Sequence, residues 1–328
     1  MRFLLDAEQA EFGRTLDRML GAADTPAAVR AWADGDAGPG RALWARLAQA
    51  GVFALAVPEA YEGLGPLPVE LAVAYVELGR HAVPGPVVET AAAAALLAAL
   101  PEATGAAKEW LPRIAAGDAL LSLTGGASGA YALDADVADA VLVGDGDTLR
   151  LAAGCGPLRV SADPARRLSV PEGGEVLARG PLVRAAVARA SDLAAFLTAA
   201  QSLGVGLELL RRTVEYVGQR RQFGVAIGSF QVVKHRLADA LVGLEFARPL
   251  LFGAALTRAP AEVAAAKLAA GEAAYRAARA ALQLHGAVGY TQELDLSLWL
   301  RKARPLRDAW GGPAACRARV TADLGVAP

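Results

Sequence analysis

Over residues 186–324 apolar side chains recur three and four positions apart in four long stretches, roughly 192–221, 229–256, 260–286 and 294–303, with a shorter tail near 314–324. That spacing lines one face of a helix, and an apolar face of such length must be buried against other helices. The last part of the chain is therefore expected to form a four-helix bundle with a tail helix beside it.

Upstream the same period appears in shorter pieces. Residues 6–22, 41–50, 68–79, 89–100 and 108–116 read as helices, and 51–65, punctuated by glycine and proline, reads as the loop between two of them. The character changes near residue 118. Short apolar runs at 120–124, 140–143, 148–152 and 158–160 are separated by Gly, Asp and Pro, which is strand-and-turn chemistry. This region ends near residue 184, long enough for a small sheet that needs packing on helices to be stable. The expected fold is mainly α, with an N-terminal helical domain over 1–117, a small reduced β domain over 118–185 and a C-terminal four-helix bundle domain over 186–328.

Of the 328 residues, 54% are hydrophobic and only 20% charged, which suits a large buried core and buried subunit interfaces. The net charge is −1 and the basic residues are scattered, so no nucleic-acid footprint is expected. Cys155 and Cys316 have neither metal-ligand nor disulfide spacing, and His81, His235 and His285 stand far apart, so no metal is expected. Acidic residues interrupt the apolar pattern of the first twenty positions, which reads as an amphipathic helix and not a signal peptide. The run 91–100 is too short and too alanine-rich to span a bilayer. A cytoplasmic protein with no membrane association is the expectation.

Two stretches break the helical pattern with glycines, amides and charges that no apolar core requires. The first, 220–239, reads RRQFGVAIGSFQVVKHRLAD. Its opening alone is ordinary, because cations favour a helix C-terminus and glycine stops a helix. Ser229 would cap the helix that follows. The second, 283–295, reads QLHGAVGYTQELD. Glycines there could form a simple C-cap, or let backbone amides approach a ligand closely. Glu293, with Thr291 or Asp295 as the next helix's cap, could equally be a solvated glutamate.

Together these stretches resemble the flavin-dependent acyl-CoA dehydrogenases. The first is similar to that family's RxQFGxPIxxFQxxKHxLAD, departing mainly at Ala226, and the second to QxxGGxGYTxExD, with Ala287 in place of the second glycine. The resemblance implies an FAD cofactor whose ADP half is contacted by Arg220, Gln222, Phe223, Gln231, Gln283, Gly286 and Ala287, often across a subunit interface. If position 287 needs a positive φ, alanine there carries a penalty of about 1 kcal/mol. His285 fits the pattern in a structural role. Glu293 stands where the family keeps the base that removes an α-proton while hydride leaves the β-carbon. An alternative family position for the base falls in 194–202, which holds no carboxylate.

An N-terminal match is weaker: Trp44, Leu47 and Gly51, then Val57-Pro58-Glu59, Gly63-Leu64-Gly65 and Glu77-Leu78-Gly79-Arg80, with Leu64 where glycine is usual. The middle departs from the pattern. Residues 118–184 are short and contain no tryptophan, and Trp310-Gly311-Gly312-Pro313 replaces a loop that lies beside the flavin in many members. Such a chain resembles short actinobacterial subunits that pair with a full-length partner.

The resemblance thus implies α,β-dehydrogenation of an acyl-CoA or acyl-carrier-protein thioester, with electrons passing to an electron-transfer flavoprotein or to oxygen. The chain would form a homo-oligomer or an α2β2 heterotetramer with a full-length acyl-CoA dehydrogenase subunit. The rivals are a non-catalytic or half-site subunit, and a relative recruited to biosynthesis with a carrier-bound thioester or different chemistry.

Overall fold

The N-terminal lobe is built from α1 (Ala7–Gly21), α2 (Thr25–Ala33), α3 (Gly38–Gln49), α4 (Pro68–Arg80), α5 (Val87–Ala98) and α6 (Ala106–Ala116) in a computed structural model that describes residues 4–100, 105–126 and 131–325. Asp6 opens α1 with a capping box, accepting from the Gln9 amide while the Gln9 side chain accepts from its own. The sequence reading passed over α2, although its start signals are present: Asp24 caps the Ala27 amide and Pro26 sits in the first turn. The alanine helix α5 is apolar all round and buried almost throughout, as a helix without a polar face must be.

The β lobe follows with β1 (Leu121–Gly125), β2 (Ala132–Leu133), β3 (Ala140–Asp145), β4 (Thr148–Leu151), β5 (Gly154–Cys155), β6 (Leu168–Ser169), β7 (Pro171–Glu172) and β8 (Glu175–Arg179). Four of them make one sheet in the order β1-β3-β4-β8. β1 runs parallel to β3, with Leu121 opposite Ala140, and the other two pairings are antiparallel. The free edge of β1 is covered by α5. Thr90 Oγ1 donates to the Leu121 carbonyl at 2.9 Å and accepts from the Leu121 amide at 3.0 Å, standing in for a strand partner. The strand expected at 158–160 is reduced to a single bridge between Arg159 and Leu168, and Val160 points fully into solvent.

A 39-residue helix, α7 (Pro181–Gln219), forms the axis of the molecule and is about 58 Å long. It starts eleven residues earlier than the apolar pattern suggested, at Gly180 (φ 119°) followed by Pro181 in the first turn. Its two sides are made for close approach. Gly204 meets α4 where an added Cβ would lie 1.9 Å from the Val76 carbonyl oxygen, and Gly79 of α4 answers with 2.1 Å to the Gln201 carbonyl oxygen. Two residues on, Gly206 faces Leu244 and Ala274 of the next helices, where an added Cβ would lie 2.5 Å from the Leu244 side chain and 3.1 Å from the Ala274 Cα.

After α7 come a hairpin of β9 (Arg221–Gln222) and β10 (Val225–Ala226), then α8 (Gln231–Thr257), α9 (Pro260–His285), α10 (Leu296–Asp308) and α11 (Pro313–Asp323). Ser229 does not cap α8; it lies in a 3-10 turn and its hydroxyl donates to the Ala226 carbonyl at 2.7 Å. Asp295 occupies the N-cap position of α10 but its side chain makes no capping hydrogen bond, and Thr291 donates to the Val288 carbonyl. α10 also runs five residues beyond 303. Buried Lys267 of α9 explains the extension, because its ammonium donates at 2.9 Å to the carbonyls of both Leu306 and Arg307, which have no partner within the helix. α7 and α8 are long and apolar enough to cross a membrane by length and composition, but the most apolar stretch of α7 is 83% buried inside the protein and that of α8 only 33%.

Two buried carboxylates tie the β lobe to the helices. Asp163 pairs with Lys302 of α10 at 3.0 Å, both out of water. Asp134, in the left-handed conformation (φ 52°) and fully buried, accepts from Trp32 Nε1 of α2 at 3.1 Å and from the Arg167 amide at 3.2 Å. Both bonds fall on Oδ1, and Oδ2 has no partner among the described residues. Burial pushes the Asp134 carboxyl up to about 7, against the hydrogen bonds from Trp32 and the Arg167 backbone.

Two tests follow from these contacts. Gly204→Ala is expected to cost about 1–3 kcal/mol or more by overpacking, whereas Gly218→Ala, near the end of the same helix with nothing within 4 Å of the new methyl, gains a few tenths; denaturant midpoints compare the two. For Asp134, the folded state holds a proton that the unfolded chain releases near pH 4, so its contribution to stability falls as pH rises from about 4 through 7. Asp134→Asn is therefore expected to raise Tm at pH 8 relative to the parent, by roughly 2–4 °C per kcal/mol recovered, and to lose that advantage at pH 5. A difference in Tm that does not change with pH would remove Asp134 from the account.

Candidate active site

The corner at the end of α7 is a two-residue hairpin. Val225 pairs with Gln222 and Ala226 with Arg221, and the tip residues Phe223 and Gly224 both have positive φ, 52° and 81°. For phenylalanine that conformation costs about 1–2 kcal/mol, and the ring is also 92% exposed, touching Phe230 edge-on at 6.4 Å. A bulky aromatic held strained and in water marks a surface built to meet something. Arg220, Gln222 and Gln231 are exposed beside it and make no side-chain hydrogen bond or ion pair among the described residues.

The second stretch comes to the same face. α9 ends at His285, and Gly286 adopts φ 60°, ψ −138°, a conformation closed to residues with a side chain. Ala287 lies in the 3-10 turn Gly286–Tyr290 without a positive φ, so the penalty considered for it does not arise. His285 is buried and stacks on Tyr216 of α7, centroids 4.1 Å apart and planes 20° off parallel. Its Nδ1–H donates to the Ala281 carbonyl at 2.8 Å, and burial holds the ring below its ordinary pKa. Because Tyr216 is one turn before Arg220, this stack joins the two sequence stretches. Gln283 then faces an open cavity of about 370 Å³ between α8 and α9, lined also by Arg236, Asp239, Arg276, Arg279 and Tyr290.

Glu293 sits in the short segment between that turn and α10, exposed, with no side-chain hydrogen bond or ion pair among the described residues. Two residues on, Asp295 accepts from Arg30 Nη2 of α2 at 2.6 Å, so the N-terminal lobe pins the segment. The desolvation that a carboxylate base requires is not provided by this chain alone. Substrate or a neighbouring subunit would have to supply it.

Where the sequence suggested a flavin-side loop, Trp310 turns inward. It has φ 55°, is 3% exposed, and donates from Nε1 to Glu89 Oε1 of α5 at 3.0 Å. The cavity beside it, reached by Leu123, Tyr131, Arg166 and Leu168, measures about 220 Å³, below the range of roughly 300–1,000 Å³ usual for ligand sites. The residues present thus fit the phosphates and adenine of a dinucleotide on the outer corner, where cations, amides and an aromatic await partners. They do not fit its isoalloxazine ring in the inner cavity. Elsewhere, Asp17, Glu77 and His81 offer ligand atoms within 4.8 Å of one another. Arg80 already serves as their cation, 3.4 Å from Glu77 and 4.0 Å from Asp17.

Sequence reading missed Arg236, Arg276, Arg279 and the Trp310–Glu89 contact. The arginines were accessible in principle, since 276, 279 and 283 share a helical face. The Trp310 contact joins residues 221 apart and left no local signal.

Comparisons with known proteins identify the family to which the sequence is similar. A family model described as acyl-CoA dehydrogenase, N-terminal domain, matches residues 6–118, and one described as acyl-CoA dehydrogenase, C-terminal domain, matches 184–323. The chain is 35% identical over 309 residues to a protein of Mycobacterium tuberculosis named acyl-CoA dehydrogenase IpdE2, covering 92% of this chain and 93% of that one. It superposes on a chain of the ChsE4–ChsE5 complex from the same organism with TM-score 0.83 at 25% identity, over 100% of both chains. A steroid acyl-CoA dehydrogenase, Tcur3481–Tcur3483, gives 0.82 at 25% identity over 97% of this chain and 98% of that one.

Removing the Arg30 side chain tests the pinned segment. Arg30→Ala is expected to cost less than about 1 kcal/mol, as exposed ion pairs do, while backbone hydrogen exchange over 291–296 speeds up several-fold. Unchanged exchange there would show that the segment is held by other contacts.

Proposed function

Because the chain belongs to the acyl-CoA dehydrogenase family of flavoenzymes acting on CH–CH bonds, we propose that it is the base-bearing subunit of a heteromeric, FAD-dependent dehydrogenase that places an α,β double bond in an acyl thioester. The observation that carries this reading is the division of the molecule's two candidate flavin regions. The Tyr216–His285 stack gathers Arg220, Gln222, Phe223, Gln231 and Gln283 on an outer, unpartnered corner, while Trp310 on Glu89 leaves little room within. A chain so built reaches to the ADP half of a dinucleotide seated on a neighbour.

In this reading Arg220 pairs with the pyrophosphate, where guanidinium–phosphate geometry is favourable, and Phe223 packs on the adenine. Gly286 and Ala287 present backbone rather than bulk. Glu293 takes the α-proton of the thioester onto its carboxylate, in a site dried by substrate and partner. FAD, when bound, supplies the acceptor for the hydride that leaves the β-carbon. Arg30, through Asp295, keeps the Glu293 segment from wandering. The likeness to a steroid acyl-CoA dehydrogenase makes a thioester with a steroid-derived body the first substrate to try, carried by CoA in preference to a carrier protein. Electrons would leave to an electron-transfer flavoprotein.

The flavin content of the purified chain decides between subunit arrangements. Alone it is expected to be well below one FAD per chain, rising when a full-length acyl-CoA dehydrogenase subunit is co-expressed. One FAD per chain in the isolated protein would sink the half-site reading. In the assembled enzyme Glu293→Gln is expected to lower turnover by about 10²–10⁴-fold, the usual worth of a general base, with flavin retained; unaltered turnover would remove Glu293 from the chemistry.

A further inference from the structure

The outer face of α8 is both apolar and cationic. Val232, Val242, Phe246 and Leu250 follow helical spacing along it for about 27 Å, and Val232 and Phe246 are 72% and 73% exposed. Arg236 and Asp239 lie on the same stripe. Arg276 and Arg279 of α9 flank it across the cavity of about 370 Å³, and Gly243 lets Arg276 lie close, 3.2 Å from where a Cβ would stand. Arg220 and Arg221 stand exposed at the hairpin corner that precedes α8. None of these five arginines makes an ion pair or side-chain hydrogen bond among the described residues, and Asp239 is the only carboxylate among them. The Arg248–Glu245 pair on the helix's other side neutralises itself.

We propose that this face docks a different subunit, one presenting apolar side chains rimmed by carboxylates, and that its charge keeps two copies of this chain from pairing through it. The proposal rests on the heteromeric reading above and names the chemistry of the partner. A two-fold pairing of identical chains lays the same patch on itself, so it would bring ten unpaired arginines against two aspartates. Like charges set across a drying interface cost several kcal/mol. A dinucleotide at the corner would offset two of the five charges with its pyrophosphate and leave the central three uncovered. Nor can a small ligand cover an apolar stripe of that length. In a chain whose net charge is −1, so basic a face is set apart from the rest of the surface.

Sedimentation velocity on the purified chain tests this, comparing the parent with Arg236→Gln/Arg276→Gln/Arg279→Gln, which removes the central cations and leaves the corner intact. At about 50 mM NaCl, where screening is weak, the parent is expected to be monomeric and the variant to self-associate at least ten-fold more tightly. At about 1 M NaCl the parent moves toward the variant. A parent that forms a stable dimer or tetramer at low salt, or a variant no different from it, overturns the proposal. So does co-flotation of the parent with phosphatidylserine vesicles, which would make lipid the occupant. With a co-expressed full-length acyl-CoA dehydrogenase subunit, Arg276→Glu/Arg279→Glu is expected to weaken co-elution ten-fold or more, and full retention overturns the acidic-partner assignment. Matching far-ultraviolet circular dichroism establishes that each variant is folded. A chain that holds one FAD unaided yet stays monomeric through its arginines would refute the half-site reading while leaving the charge mechanism standing.

Discussion

Backbone touches backbone where α4 crosses α7, and the rest of the molecule is arranged around that crossing. Gly79 and Gly204 each remove the one carbon that would hold the helices apart. Because Gly206 does the same toward α8 and α9, a single helix is clamped on both sides within three residues. The N-terminal lobe and the bundle therefore share one axis instead of meeting through a linker. The β lobe is hung from this frame by Thr90 on the edge of β1, by Trp32 on Asp134 and by Lys302 on Asp163.

That frame separates an occupied interior from an expectant exterior. Inside, most polar groups find partners, Asp134 Oδ2 being an exception: Lys267 on the end of α10, Trp310 on Glu89, His285 on Ala281. Outside, at the hairpin corner and along the cationic stripe of α8, Arg220, Arg236, Gln222 and Gln231 make no side-chain hydrogen bond or ion pair among the described residues, and Phe223 is 92% exposed. Buried polar groups in a stable protein are satisfied as a rule, so the contrast shows which surface the fold leaves for something else to complete.

Much of the frame was legible in the sequence, because three-and-four spacing survives in long helices and the β region announced itself through glycine, aspartate and proline. What escaped was non-local. The early start of α7 was hidden by its strand-rich neighbourhood, and the length of α10 depends on a lysine nearly forty residues away. The strand at 158–160 had the right residues but found only a single bridge, Arg159 to Leu168, to pair through. In the candidate site, the corner residues could be named from their motifs, yet their meeting depends on Tyr216 and His285, 69 positions apart. Glu293 was visible as a residue; its exposure, and its tether through Asp295 to Arg30, were not.

The hairpin at 221–226 has one more consequence. With both tip residues already left-handed, it is a type I′ turn, the geometry that matches the natural twist of two antiparallel strands. Such a loop is rigid before it meets anything. A partner that closes over Phe223 does not have to freeze a wandering segment, so little of the contact energy is lost to ordering the chain, and the strain of holding an aromatic ring in that conformation has already been met during folding.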